Sequence, residues 1–484
     1  MELKDFKNKR ITVMGIGLHG GGVGVIKFLV GQGAKVLATD LKNKEELKES
    51  LEKLAGLENI EYVLGEHRLK DFIETEMVIK SPAAPEDSKF LAVARAKNIP
   101  IESDIGIFFE LCPAPIIGIT GTKGKSTTAT LLACLLSKKF SHVVLAGNIR
   151  TSVLEKLPEI TKDSIVVLEL SSWQLADARQ HKKSPNVAVL TNIFEDHLNR
   201  YAGFTEYLED KKLIFKFQKP KDYLFLNYNE PILKELAKET KSKVYFYSSD
   251  GDNLFQTDLP KLRQESRFGA YIKRDKIYFG SNEEKICDLT NIKLFGRHIL
   301  NNILAAVSVA KLYDLPNKEI ASALIDFPGL EGRLQLIAEK KGIKYFNDTT
   351  ATNPDAAIAA LNALSDKWPD IKERLVLIAG GTDKDLNFQE LAKQIVEKCK
   401  ALILFAGTAT DKIEKEIEKW LKANKSTELK IEKADSMEKA VSLAVKLTVK
   451  GHIVLLSPGC ASFGLFKHEF DRGERFNRAV SLLK

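Results

Sequence analysis

The amino-acid sequence predicts an α/β protein built on parallel sheets, and three observations carry that prediction. From Arg10 onward, short β-branched runs alternate with longer amphipathic segments, the pattern that right-handed βαβ crossovers turn into parallel sheets covered by helices. At 484 residues and 44% hydrophobic content, the chain can bury several separate cores. Two Pro-containing stretches, Glu110-Leu-Cys-Pro-Ala-Pro115 and Asp326-Phe-Pro-Gly-Leu330, each fall between one run of βα units and the next. They divide the chain into three domains, 1–111, 112–328 and 329–484.

Composition narrows the function classes. Lys and Arg (73) exceed Asp and Glu (65), a formal charge of +8 spread among both signs. That balance suits anionic ligands such as nucleotides and equally describes an ordinary solvated surface; the concentrated basic tract of a nucleic-acid groove is missing. The first ten residues are strongly charged and no stretch of ~18 apolar residues occurs, so a cytoplasmic protein without a membrane partner is expected. Cys112, Cys134, Cys287, Cys399 and Cys460 are scattered and never form a C-x-x-C pair, which reads as core thiols rather than a disulfide framework or zinc site.

In the first domain, Ile11-Thr-Val-Met14 reads as a buried strand, Gly15-Ile-Gly-Leu-His-Gly20 as a turn, and the segment through Leu29 as a helix; Lys35 to Thr39 is the next strand and ends in Asp40. A G-x-G-x-x-G turn between strand and helix, with a carboxylate some twenty residues on, is the dinucleotide fingerprint: the glycines admit a pyrophosphate and the carboxylate can accept from a ribose. A tight βα turn without a ligand is the alternative.

The second domain opens with the strand Pro115 to Thr120, the loop Gly121-Thr-Lys-Gly-Lys-Ser126 and a helix from Thr127 to Leu136. Gly121 and Gly124 free backbone N–H groups to surround phosphate oxygens, Lys125 neutralises the β and γ phosphates, and Ser126 offers a hydroxyl to Mg²⁺. Ile119 occupies the first glycine position of the strict Walker A pattern. The strand Ile165 to Leu170 sets Glu169 at its C-terminal end, where a carboxylate suits Mg²⁺, and the strand Val187 to Asn192 delivers Asp196 and His197 to the same rim. Between Tyr245 and Phe295, Ala270-Tyr-Ile and Lys276-Ile-Tyr-Phe flank a Lys-Arg-Asp turn, which predicts a small antiparallel insertion. Four strands are expected in the third domain, Ile343 to Asn347, Leu375 to Ala379, Ala401 to Phe405 and His452 to Leu456, with Asp348, Thr352, Lys384 and Ser462 along one rim. Taken singly, each of those four residues also reads as a turn or cap.

Six motifs, Gly121-Thr-Lys-Gly-Lys-Ser126, Leu168-Glu-Leu-Ser-Ser172, Thr191-Asn-Ile-Phe-Glu-Asp-His197, Asn347-Asp348 with Ala351-Thr-Asn-Pro354, Gly380-Gly-Thr-Asp-Lys384 and Leu456-Ser-Pro-Gly-Cys-Ala-Ser462, occur in the order found in the Mur ligases. The chain resembles that family over essentially its whole length. The resemblance implies a Rossmann-like UDP-binding first domain, a central phosphate-loop ATPase domain, and a Rossmann-like third domain that admits an amino acid and closes over the site. The implied activity is the ATP-dependent addition of D-glutamate to UDP-N-acetylmuramoyl-L-alanine through an acyl phosphate, by a monomer engaged in peptidoglycan precursor synthesis. It further implies UDP-substrate contacts at Gly17, Leu18, His19, Asp40, Ser81 and Asn148, and ATP contacts at Gly121, Thr122, Lys123, Gly124, Lys125, Ser126, Thr127, Asn302, Arg333 and Asp348. The amino acid would meet Thr352, Lys384, Ser462 and Phe463. Two Mg²⁺ ions would be held by Ser126, Glu169, His197 and a carbamoylated Lys212, matched in Lys211-Lys-Leu-Ile214; Lys125, Glu169, His197 and Lys212 would carry the chemistry.

Departures from the family pattern fall at Gly296-Arg-His-Ile299, at Gly332 where a His usually precedes Arg333, at Thr350 in place of a Lys, and at Ala83, Arg150 and Glu469. Thr350 and Glu469 bear on amino-acid identity, so a Mur-type ligase of other specificity, such as for L-glutamate, stays open. A nicotinamide-dependent oxidoreductase would leave the second loop unexplained, the UDP-type first domain disfavours a folylpolyglutamate synthase, and the candidate metal ligands argue against a nucleotide-switched binding protein.

Overall fold

The computed structural model describes residues 1–483 except 19, 149–151, 196–200, 202, 256–265, 293–296, 384, 425–428 and 463. Three sheets account for its strands. The first contains β1 (Arg10–Met14), β2 (Lys35–Asp40), β3 (Ile60–Leu64), β4 (Met77–Lys80) and β5 (Ile101–Glu102), all parallel, in the order β3-β2-β1-β4-β5. Ile11 and Val13 pack with Val23, Ile26 and Leu29 of the helix Gly21–Gly31 in one core, while Met14 and Val78 meet Phe72 and Leu91 in another. Burial on both faces is why these strands read as continuous apolar runs.

The second sheet runs β14-β13-β12-β11-β10-β9-β6-β8-β7. Its strands are β6 (Ile116–Thr120), β7 (Val143–Gly147), β8 (Ile165–Glu169), β9 (Val187–Leu190), β10 (Tyr223–Asn227), β11 (Lys243–Ser248), β12 (Ser266–Lys273), β13 (Lys276–Phe279) and β14 (Glu284–Asp288). The expected antiparallel segment is present, but it is not a separate insertion: β12 pairs parallel with β11, so the hairpin extends the central sheet. Its turn places Arg274 and Asp275 at φ 48 and 56, the two-residue geometry whose twist matches paired antiparallel strands.

The third sheet has the order β15-β16-β20-β17-β18-β19, with β15 (Gln335–Lys340), β16 (Ile343–Asn347), β17 (Leu375–Ala379), β18 (Ala401–Phe405), β19 (Lys430–Ala434) and β20 (Ile453–Leu456). Alternate residues feed two cores, Leu375 and Leu377 on one face and Val376 and Ile378 on the other. The edge strands β15 and β19 were not expected from sequence, because both are polar and mostly half-exposed or exposed.

The chain forms two compact units, one of Met1–Asn291 with Asn301–Leu324 and one of Ile292–Leu300 with Ile325–Lys484. The first and second sheets share the former unit. There the end of β4 is tied to the helix Ser172–Asp177 by a buried ion pair, Lys80 to Asp177 at 2.6 Å. No described helix is long and apolar enough to cross a membrane.

Candidate active site

The end of β2 organises the first glycine turn. Asp40 Oδ2 accepts from the backbone N–H of Ile16 and of Gly17, each at 2.9 Å, and Oδ1 accepts from Lys42 N at 2.9 Å. The carboxylate thereby fastens the turn to the rim where the strand order reverses, between β1 and β4. Ser81, at the end of β4, joins that rim by donating its N–H to Met14 O at 2.9 Å, and Leu18, which follows Gly17, is exposed. His19 lies outside the described residues.

The second loop is held by the neighbouring strand exit. Thr191 Oγ1 donates to Lys123 O at 2.6 Å, Asn192 Oδ1 accepts from Lys123 N at 2.9 Å, and Thr122 Oγ1 bonds Phe194 O at 3.1 Å and Tyr207 OH at 3.0 Å. Gly124 has φ +85, and a Cβ there would stand 2.2 Å from Asn302 Oδ1, so the turn into the helix Lys125–Leu136 needs glycine. That helix begins with Lys125, Ser126 and Thr127, half-buried at an N-terminus whose free N–H groups favour phosphate. Lys125 Nζ donates to Gly121 O at 3.0 Å and Thr122 O at 3.1 Å.

Glu169 ends β8, in register with Ile119 of β6 and so beside this loop. Its side chain is 1% exposed; Oε1 accepts from Asn148 Nδ2 at 3.0 Å, and buried Oε2 meets no hydrogen-bond donor among the described residues. A buried carboxylate oxygen without a donor costs several kcal/mol on the order-of-magnitude scale unless a cation satisfies it. A divalent cation such as Mg²⁺ would satisfy that oxygen, and the Ser126 hydroxyl stands at the start of the neighbouring helix. No three Asp, Glu, His or Cys side chains converge among the described residues. Asp196 and His197 lie outside the described residues.

Lys212, expected to carry a carbamate and hold Mg²⁺, is turned toward two carboxylates. Its Nζ pairs with Glu209 at 2.8 Å and Glu239 at 3.0 Å, and the two carboxylates raise its pKa although partial burial opposes them. Lys211 reaches the loop instead: it is 2% exposed, its Nζ donates to Gly121 O at 3.0 Å, and it lies 4.7 Å from the centre of the Tyr207 ring. One residue along a helix is a rotation of about 100°, which turns neighbouring lysines to different faces. The signal was available, since Tyr207, Asp210, Lys211 and Ile214 share the buried spacing of the helix Phe204–Lys216 and Lys212 does not.

In the other unit, the exits of β16, β17 and β20 are knitted together: Asp348 N donates to Leu456 O, Gly380 N to Pro458 O and Gly459 N to Ala351 O. Buried Asp348 accepts from Ser457 Oγ at 2.7 Å and from Leu334 N at 2.9 Å. Burial pushes its pKa to about 7, against those two bonds and the charges of Arg333 and Arg472. Arg472, fully buried and missed by sequence reasoning, donates to Thr349 Oγ1, Thr349 O and Cys460 O, and burial lowers its guanidinium to about 10. Its signal was an arginine on the apolar face of the amphipathic helix Glu469–Ser481. Gly332 and Thr350, both departures from the family pattern, meet directly: Thr350 donates to Gly332 O from N at 3.0 Å and from Oγ1 at 2.9 Å. Gly332 has φ +68, and a Cβ there would be 2.7 Å from Thr349 Cγ2. Ser462 is buried, Thr352 half-buried, and Lys384 and Phe463 lie outside the described residues.

These features define an α/β enzyme of the phosphate-loop class with additional parallel-sheet domains. Family models match in succession: the Mur ligase MurD-like N-terminal domain over residues 9–103, the Mur ligase middle domain over 119–310 and the Mur ligase glutamate ligase domain over 332–460. The chain is 42% identical over 477 residues to the UDP-N-acetylmuramoylalanine–D-glutamate ligase of Roseiflexus sp. (strain RS-1), covering 98% of each. It is 36% identical over 485 residues to the ligase of the same name from Acetivibrio thermocellus, covering 99% of this chain and 98% of that one. In fold it is similar to the UDP-N-acetylmuramate-alanine ligase MurC of Thermotoga maritima, with TM-score 0.61 and 17% identity over 98% of this chain and 99% of that one. The chain belongs to the Mur ligase family of ATP-dependent, amide-forming ligases.

Proposed function

We propose that the protein joins D-glutamate to the L-alanine carboxylate of UDP-N-acetylmuramoyl-L-alanine at the expense of ATP, acting as a cytoplasmic monomer in peptidoglycan precursor synthesis. Relatives bearing the name of that activity align with nearly the whole chain. At the level of residues, one observation carries the reading: a lysine-lined phosphate loop stands beside a buried carboxylate oxygen that meets no donor among the described residues.

The triphosphate is assigned to the N–H groups of Gly121 to Thr127, with Asn302 against Gly124 on the nucleoside side and Arg333 and Asp348 as further contacts. The UDP-linked substrate is assigned to Gly17, Leu18, His19, Asp40, Ser81 and Asn148, and the amino acid to Thr352, Lys384, Ser462 and Phe463. The substrate carboxylate attacks the γ-phosphorus, the bond to the β–γ bridging oxygen breaks, and ADP leaves with that electron pair. An acyl phosphate remains. The deprotonated amine of glutamate adds to its carbonyl carbon, and the tetrahedral adduct expels inorganic phosphate to leave the amide. Because the first step brings two anions together, Lys125 acts by neutralising the phosphate oxygens as charge moves onto the leaving group. Mg²⁺, held by Glu169, Ser126 and His197, would supply the remaining neutralisation. Lys211 takes the carbamoylation first expected of Lys212: its neutral amine would add to the carbon of dissolved CO2 and release a proton to water, turning a buried cation at the loop into a metal-binding carbamate.

Phosphate release in the presence of ATP, Mg²⁺ and UDP-N-acetylmuramoyl-L-alanine, with D-Glu, L-Glu, D-Asp, L-Ala, L-Lys and meso-diaminopimelate in turn, tests the reading. Release with D-Glu is expected; release only with another amino acid would overturn the specificity, and release with none would overturn the ligase.

A further inference from the structure

The rim of the first sheet carries a histidine that no site assignment has included. His67 follows β3, and its Nδ1 lies 2.8 Å from Thr39 Oγ1, on the residue preceding Asp40. The Thr39 hydroxyl also donates to Glu66 O at 3.0 Å. A hydroxyl owns one proton and a carbonyl only accepts, so the Nδ1 proton of His67 is directed to Thr39. The ring is set edge-on against Phe72 and Phe90, with centroids 5.9 and 5.2 Å away, which fixes the direction of that bond. Two residues earlier, Gly65 N donates to Asp40 O and Lys42 O, each at 2.9 Å. The β3 exit therefore grips the β2 exit on both sides of Asp40, and Asp40 in turn holds the N–H groups of Ile16 and Gly17.

We propose that His67 is a positioning residue for the uridine nucleotide: through Thr39 it holds the Asp40 turn, and through Asp40 it sets the glycine turn that receives the nucleotide. The inference rests on the reading that the first domain binds a UDP-linked substrate. Glycine turns populate many conformations when unrestrained, so a turn held in one of them binds without repeating that ordering cost.

The full-length protein, with UDP as the binding probe, tests this. His67→Phe keeps the aromatic packing and removes the donor; Thr39→Val removes the hydroxyl at nearly constant volume. Either change should raise the Kd for UDP, and the KM for the UDP-linked substrate, roughly five- to tenfold, the scale of one hydrogen bond. The KM for ATP and kcat should move less than twofold, and His67→Asn, which restores a donor near the Nδ1 position, should recover most of the affinity. Without ligand, hydrogen exchange at the Ile16 and Gly17 amides should quicken in both variants. Unchanged exchange and unchanged UDP affinity in His67→Phe and Thr39→Val would overturn the role of His67 while leaving the uridine reading intact. Wild-type protein that binds no UDP would overturn that reading, and the inference with it, even where exchange quickens.

Discussion

Lys125 and Lys211 direct their ammonium groups at one atom, the carbonyl oxygen of Gly121, each at 3.0 Å. One comes from the helix that follows the loop and the other from the distant helix Phe204–Lys216. The loop is thus fastened at one carbonyl from two separate helices.

Lys211 and Lys212 should therefore respond differently to substitution. Lys211→Ala is expected to lower kcat at least a hundredfold, the usual scale for removing a preorganised charge, with partial recovery on adding short carboxylic acids. Lys212→Ala loses ion pairs with two half-exposed partners and should stay within a few-fold of wild type. Full activity in Lys211→Ala would remove its assigned role.

Glu169→Gln keeps an oxygen to accept from Asn148 and deletes the unpaired buried charge. Phosphate release should fall by two orders of magnitude or so and the Mg²⁺ concentration for half-maximal rate should rise, while the melting temperature holds or increases. A lowered melting temperature in Mg²⁺-free buffer would contradict the picture of an unsatisfied carboxylate.

Asp348 has a folded-state pKa raised from 3.8 to about 7, so between those values the folded protein binds more protons than the unfolded chain. Stability from this group is greatest at low pH and falls as pH rises toward 7, by an amount on the order of a few kcal/mol. In urea titrations from pH 5 to 8, Asp348→Asn should flatten that decline and be the more stable protein at pH 8. Parallel profiles for the two would show that the carboxylate stays ionised throughout.

His181 sits between Glu102 Oε2 at 2.9 Å and Glu110 Oε1 at 3.2 Å, with Lys183 on Glu110 at 3.0 Å. The Glu102 bond leads in raising its pKa, against burial and with help from Glu110. For a histidine so raised, the stabilisation is complete below its unfolded pKa and is lost as pH climbs through the folded value. The melting-temperature gap between wild type and His181→Gln should thus be widest near pH 6 and close by pH 9; a gap independent of pH would assign the contact to packing alone.

Much of the architecture was legible along the chain, and the exceptions share a cause. The central strands, both glycine turns and Glu169 at the end of β8 follow from apolar run length and turn chemistry, which neighbours in sequence dictate. Strands β15 and β19 escaped notice because an edge strand needs only one bonded neighbour and can carry a polar, half-exposed surface. Motif matching counts positions and points to Lys212, whereas a helix displays faces; the i, i+3, i+4 spacing of Tyr207, Asp210 and Lys211 marks Lys211 as the buried one of the pair. Arg472 and His67 left weaker traces, since their partners lie far off in the chain: Thr349 is 123 residues from Arg472, and Thr39 is 28 from His67.

The sequence by itself determined the α/β class, the succession of sheets and the two turns suited to phosphate, because strand propensity and the left-handed freedom of glycine are local properties. Tertiary structure alone decided that the buried Lys211 meets the carbonyl of Gly121, that one oxygen of Glu169 is buried without a donor among the described residues, and that Asp348 is buried where its pKa is raised. Those outcomes depend on burial and on charges brought together from distant segments, and neither quantity exists until the chain has folded.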